Sequence, residues 1–151
     1  MKPTENLRGS ILLIEDDPGD VIIARRAFEE VAPGITLRTA ENGEDALDLL
    51  TGRGTDDGNP DRFCPDLILL DLNMSKLDGR EFLQRLRAES GHTATAVVVL
   101  TTSQAPSDIL QSYQDGCNSY ITKPADFGEF RRIISVLTEY WFGCVRFPEP
   151  V

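Results

Sequence analysis

Four apolar runs of the chain end on groups that could do chemistry. Ser10-Ile11-Leu12-Leu13-Ile14 is followed by Glu15-Asp16-Asp17, and Leu67-Ile68-Leu69-Leu70 by Asp71. The run from Ala96 ends on Thr101, and Lys123 follows Ser119-Tyr120-Ile121-Thr122. Carboxylates gathered as Glu15, Asp16 and Asp71 repel one another and call for a counterion. Magnesium suits them: it takes oxygen ligands, keeps several waters and commonly uses one or two carboxylates together with phosphate oxygens. Asp71 can then serve as a nucleophile that accepts a phosphoryl group as an acyl phosphate. Lys123 and the metal neutralise charge on the transferring group, and Thr101 can donate a hydrogen bond to one of its oxygens.

These groups meet only if the runs are strands pointing the same way, and the pattern predicts that. Strands are expected near Ser10–Glu15, Ile35–Ala40, Leu67–Leu72, Ala96–Thr101 and Ser119–Thr122. Between them lie stripes of helical period: Val21, Ala24, Phe28 and Val31; then Phe82, Leu83 and Leu86; then Phe130, Ile133, Ile134, Leu137 and Trp141. Asp17-Pro18 suits an N-cap and a first helical position, Asp78 with Glu81 and Asp126 with Glu129 have capping-box spacing, and Asn42 precedes Gly43-Glu44-Asp45. Runs as continuously apolar as Leu67–Leu70 and Ala96–Leu100 indicate strands covered on both faces, which is the mark of a parallel sheet between helices. Five βα units in a doubly wound α/β sandwich follow. In such a sheet the carboxyl ends of the strands share one edge, where ligand sites lie.

The chain has 151 residues, 40% of them hydrophobic, enough for one sizeable core and one domain. Fifteen basic against twenty-five acidic residues leave a formal charge of −10, which disfavours nucleic acid and anionic lipid as partners. The polar start Met1–Arg8 is too short for a signal sequence, and no apolar stretch reaches the roughly 18 residues of a membrane helix, so a cytoplasmic protein is expected. Cys64, Cys117 and Cys144 lack pairwise metal spacing and are expected to be reduced, mostly structural thiols rather than a disulfide or zinc framework. The segment Thr51–Pro65 exceeds the usual length of an αβ connection and is expected to be a mobile surface loop at the sheet end opposite the acidic groups. His92 is expected to be a solvated loop residue, and Asp17 a helix cap rather than a ligand.

The ordered set Glu15-Asp16, Asp71, Thr101, Tyr120 and Lys123-Pro124 resembles the receiver domain of two-component response regulators over about Ser10 to Trp141. The resemblance implies a flavodoxin-like, five-stranded parallel sheet in the order 2-1-3-4-5 with five helices. It implies further that Asp71 is the phosphoacceptor and that Glu15, Asp16, Asp71 and the backbone carbonyl of Asn73 hold Mg2+. Thr101 and Tyr120 would be the switch pair, and Lys123 would precede a cis-proline peptide. Glu replaces the usual Asp at the first acidic position, and Thr102 stands where the family often has Ala or Gly. A narrower similarity, to single-domain regulators of phytochrome-type histidine kinases, rests on Ile14-Glu15-Asp16-Asp17 with Asp20, the long Thr51–Pro65 segment, Val99-Leu100-Thr101-Thr102-Ser103, and the aromatic tail Tyr140-Trp141-Phe142 with Phe147-Pro148.

A response regulator so built is a signalling protein rather than an enzyme on external substrates, with self-phosphotransfer and autodephosphorylation as its only reactions. Residues 8–142 would form the receiver and 143–151 a C-terminal arm. With no effector segment after Trp141, output would pass through a surface formed by the fourth helix, fifth strand and fifth helix, or through a phosphotransfer protein; a relay step or phosphate sink is the alternative role. A haloacid-dehalogenase-type phosphatase also uses an Asp nucleophile after an apolar strand, but wants a second Asp two residues on, where this chain has Asn73 and no cap insertion. A flavodoxin-like FMN protein is opposed by the acidic first turn. The apolar tail, Trp141, Phe142, Val145 and Phe147, needs cover. It would either fold back on its own domain or lie across a second subunit, and a homodimer is expected.

Overall fold

The computed structural model describes residues 3–52, 63–74, 76–89 and 92–148. After a short 3-10 turn at Pro3–Asn6, strands and helices alternate: β1 (Gly9–Ile14), α1 (Pro18–Val31), β2 (Ile35–Ala40), α2 (Gly43–Thr51), β3 (Leu67–Leu70), α3 (Gly79–Ala88), β4 (Ala96–Thr101), α4 (Pro106–Gln114), β5 (Ser119–Thr122) and α5 (Phe127–Gly143). The five strands are all parallel in the order β2-β1-β3-β4-β5. This is the flavodoxin-like, doubly wound sheet. The segment 53–62, most of the expected mobile loop, lies outside the described residues.

Alternation of side chains along each strand divides the core into two layers. Ile11, Leu13, Leu67, Leu69, Val98 and Leu100 face α1 and α5, where Ala24, Ala27, Phe28, Val31, Phe130, Ile134 and Leu137 are buried against them. Leu12, Ile14, Ile68, Leu70, Val97 and Val99 face the other way, onto Ala46, Leu47 and Leu50 of α2 and Phe82, Leu83 and Leu86 of α3. The expected stripes are therefore core. Arg131 of α5 reaches Glu30 of α1 at 3.2 Å across the first layer. The fourth helix is the exception: Ser112 is its only buried residue, while Leu110 and Tyr113 are exposed.

Helix starts follow local chemistry. Asp17 accepts from the Gly19 amide with Pro18 at the first position, Asn42 from Asp45, Asp78 from Glu81 and Asp126 from Glu129. Each satisfies an amide that the first turn leaves without an intrahelical partner. Strand ends differ slightly from expectation, β1 covering Gly9–Ile14 and β3 stopping at Leu70. The pairing nonetheless continues one residue further, with Glu15 N donating to Ala40 O at 3.0 Å and Asp71 N to Ile14 O at 3.1 Å. The two acids thus stand on the last rungs of the ladder.

Two expectations are corrected. His92 is 4% exposed, not solvated: Nε2 lies 3.0 Å from Leu50 O and Nδ1 3.2 Å from Thr95 Oγ1, so the ring fills the gap between the end of α2 and the entry to β4. The Lys123–Pro124 peptide is trans rather than cis; only about 0.5–1 kcal/mol separates the two forms before proline. Cys64 and Cys144 are exposed thiols and Cys117 a buried one. Burial pushes the Cys117 thiol up to about 11, which disfavours the nucleophilic thiolate form. Among the described residues, no helix is long and apolar enough to cross a membrane.

Candidate phosphoacceptor site

Parallel pairing carries Glu15 and Asp16 after β1, Asp71 after β3, Thr101 at the end of β4 and Lys123 after β5 to the same sheet edge. Carboxylate oxygens of Glu15, Asp16 and Asp71 lie within 4.8 Å of one another. Glu15 is 2% exposed and Asp71 8%. Lys123, itself anchored by its amide to Thr101 O at 2.8 Å, turns its ammonium inward to the Glu15 carboxylate, 3.4 Å from Asp20 Oδ2 and 3.9 Å from Asp71 Oδ2. The other Asp71 oxygen, Oδ1, accepts the Asn73 amide at 3.3 Å.

Electrostatics follow from this packing. Burial pushes the Glu15 carboxyl up to about 7, with Lys123 pulling it down and the neighbouring Asp71 adding to the rise. For Lys123 burial works against the charged form, but Glu15, Asp71 and Asp20 together outweigh it and hold the ammonium above its ordinary value. Among the described residues, Lys123 is the cation set against the Glu15 and Asp71 carboxylates. The converging carboxylates of Glu15, Asp16 and Asp71 are a donor set that fits a hard divalent ion.

Thr101 is fully buried, and its hydroxyl has no hydrogen-bond partner among the described residues. A buried unpaired hydroxyl costs about 1–3 kcal/mol, so it is retained where something else will pair with it. Tyr120, half-buried, donates its hydroxyl to Ser103 O at 2.9 Å and so straddles the connection that leaves β4. Gly79 admits no side chain, since a Cβ there would lie 2.6 Å from Asp71 O.

The structure thus gathers Glu15, Asp16, Asp71, Thr101 and Lys123 at one sheet edge, and bonds Tyr120 of β5 to the β4–α4 connection through the Ser103 carbonyl. Asn73 contributes its backbone at the rim, its side chain being exposed. Asp17 faces outward as the cap of α1, the role expected of it. Two residues were given no role by sequence reasoning. Asp20 becomes a partner of Lys123 because the first turn of α1 lies over the strand ends, a proximity invisible in a linear pattern. Ser103 matters through its carbonyl, which any residue type would supply.

A family model for the response regulator receiver domain matches residues 11–135. The chain is 36% identical to "Probable methanogenesis regulatory protein FilR2" of Methanothrix harundinacea (strain 6Ac) over 93% of its length and 88% of the relative's. It is 31% identical to "Response regulator Rcp1" of Synechocystis sp. (strain ATCC 27184 / PCC 6803 / Kazusa) over 91% of this chain and 92% of that one. The crystal structure of the phosphorylated cyanobacterial phytochrome response regulator RcpA superposes with a TM-score of 0.84 at 32% identity, covering 94% of this chain and 99% of that one. The chain belongs to the response regulator receiver domain family. It is a two-component response regulator, related to regulators of phytochrome systems, and a histidine kinase is its partner class.

Proposed function

We propose that Asp71 accepts the phosphoryl group of a kinase phosphohistidine, with Mg2+ held by Glu15, Asp16, Asp71 and the Asn73 backbone carbonyl. The observation that carries this reading is the clustering of the Glu15, Asp16 and Asp71 carboxylates at a sheet edge where Lys123 reaches Glu15 and Asp71 and where the buried Thr101 hydroxyl has no partner among the described residues. A carboxylate oxygen of Asp71 attacks phosphorus, the phosphorus–nitrogen bond breaks, and its electron pair stays on the imidazole. Lys123 moves its attraction from Glu15 towards the arriving phosphoryl oxygens, and Thr101 supplies the hydrogen bond it does not otherwise make. Bound magnesium supplies the remaining charge neutralisation. Hydrolysis reverses the modification: water attacks phosphorus, the bond to Asp71 breaks, and inorganic phosphate leaves.

Phosphorylation then shifts a population between two surfaces through Thr101, Tyr120 and the β4–α4 connection. Output through α4, β5 and α5 is supported by the exposed Leu110, Tyr113, Val136 and Tyr140. The receiver comprises residues 8–142, with 143–151 as an arm, and works in the cytoplasm. A phytochrome-type kinase is the preferred donor, because relatives at about one-third identity over nearly the whole chain carry that description. The same exposed apolar side chains support a homodimer. Phosphatase action on external esters is disfavoured, since residue 73 offers Asp71 a backbone amide and no second carboxylate.

Magnesium with acetyl phosphate should label Asp71 with an acid-stable, base-labile group, read by mass spectrometry after borohydride trapping. Labelling that persists unchanged in Asp71→Asn would refute the assignment, and catalytic release of phosphate from many esters would favour the hydrolase. Phosphotransfer from a phytochrome-type kinase, compared with kinases of other input classes, tests the preferred donor. Sedimentation equilibrium at tens of micromolar tests the dimer.

A further inference from the structure

The connection between β4 and α4 carries a chain of hydrogen bonds that phosphotransfer itself does not use. Ser103 is committed three ways: its carbonyl accepts from Tyr120 at 2.9 Å, its hydroxyl donates to Asp108 Oδ2 at 2.6 Å, and the same hydroxyl accepts the Ala105 amide at 3.3 Å. Asp108, in the first turn of α4, gives its other oxygen to the Arg80 guanidinium of α3. The start of α3 is in turn fixed on the residues that directly follow β3. The Gly79 amide donates to Leu72 O at 3.2 Å, and a Cβ at Gly79 would lie 2.8 Å from Leu72 Cα. The end of the Asp71 strand, α3, α4 and the connection are thereby joined around Thr101.

We propose that Arg80, Asp108 and Ser103 form a restraint holding the β4–α4 connection in the position it takes here, so that Arg80 and Asp108 are positioning residues that set how readily the switch is thrown. The proposal rests on the reading of Asp71 as phosphoacceptor and of Thr101 as the responding hydroxyl. Thr101 and Ser103 are two residues apart. When the Thr101 hydroxyl follows a group on Asp71, Ser103 is drawn along, and it must then release Asp108 or drag the first turn of α4. Arg80 opposes the drag because its own helix is seated on the residues that follow β3. The amino end of α4 is thinly packed, Ser112 being the helix's only buried residue, while Gln84 and Arg87 of α3 hold its other end through Asp115 and the Gly116 carbonyl. The exposed ion pair contributes modestly, and the Ser103 bond to a charged acceptor contributes more. A restraint present in one state and absent from the other shifts the equilibrium by its own free energy.

Magnesium with beryllofluoride, a phosphoryl mimic, is titrated into the full chain and its variants. Apparent affinity should rise about three- to ten-fold in Asp108→Ala and less in Arg80→Ala, the double variant matching Asp108→Ala because both cut one network. Asp108→Asn, which keeps an acceptor for Ser103 without the charge, should fall between wild type and Asp108→Ala. Arg132→Ala, which removes only the surface pair with Glu129 on α5, should change nothing. Unchanged or weaker affinity in Asp108→Ala overturns the restraint. A second readout needs no phosphoryl mimic: amide hydrogen exchange over 102–110 in the metal-free protein should quicken about ten-fold in Asp108→Ala while α5 stays protected, and equal exchange also overturns it. If wild type takes up no beryllofluoride, the phosphoacceptor reading fails while the exchange measurement still decides the restraint.

Discussion

Lys123 is paired with Glu15 more closely than with Asp71: its ammonium touches the Glu15 carboxylate and stands 3.9 Å from Asp71 Oδ2. The cation rests on the most buried acid of the site, which is itself a neighbour of the Asp71 carboxyl.

This arrangement makes the metal-free protein sensitive to pH through Glu15. Its carboxyl, pushed up to about 7 by burial first and by Asp71, is protonated more readily folded than unfolded. An acid raised in this sense contributes stability that is full below its unfolded value and is lost as pH rises through the folded one. Between about pH 4.5 and 7 the difference in unfolding free energy between wild type and Glu15→Gln should fall by about 2 kcal/mol. Denaturant titrations of both proteins without magnesium measure it; parallel profiles would show that Glu15 ionises normally.

Magnesium needs the ionised carboxylate, so its affinity should fall about ten-fold per pH unit below 7. Calorimetric titration at several pH values checks this, and Glu15→Gln should bind weakly with a flatter profile.

Replacing Lys123 by Met keeps the apolar stem and removes the charge. Magnesium binding should survive, while single-turnover labelling of Asp71 by acetyl phosphate slows about 10²-fold, the usual consequence of losing one preorganised electrostatic donor. An unaltered rate at saturating magnesium would assign Lys123 to structure alone.

Thr101→Val keeps the shape and discards a hydroxyl that has no partner among the described residues. The unphosphorylated protein should gain about 1 kcal/mol against denaturant. Labelling of Asp71 should persist in Thr101→Val and Thr101→Ala, while the gain in partner or dimer affinity on phosphorylation disappears. A phosphorylated variant that binds as tightly as wild type would remove Thr101 from the switch.

In the C-terminal segment Phe147 stacks on Trp141 at 5.9 Å between centroids and tilts against Phe142 at 5.5 Å. The tail is thus covered by its own chain, joining Leu7 at the margin of the α1/α5 core layer. Phe147→Ala should lower stability by about 1–2 kcal/mol and leave the oligomeric state unchanged. Sedimentation equilibrium with parallel unfolding curves distinguishes this from arm exchange, in which the same substitution, or removal of residues 142–151, yields a monomer.

Much of this protein is legible in its linear pattern because parallel α/β architecture writes itself locally. Strands buried on both faces must be continuously apolar, as Leu67–Leu70 and Ala96–Leu100 are, and helices must open on side chains such as Asn42, Asp78 and Asp126 that satisfy their first amides. Placing a polar residue at the end of each such strand is enough to locate Glu15, Asp71 and Thr101 on one edge. What the pattern does not contain is distance across the fold. The burial of His92, the hold of Asp20 on Lys123, and the chain from Tyr120 through Ser103 and Asp108 to Arg80 join residues three to 103 positions apart through atoms that carry no periodic signal. The choice of Glu15 over Asp71 as the partner of Lys123 was likewise settled by packing, since both acids are available and only the geometry of the strand ends decides which one the ammonium reaches.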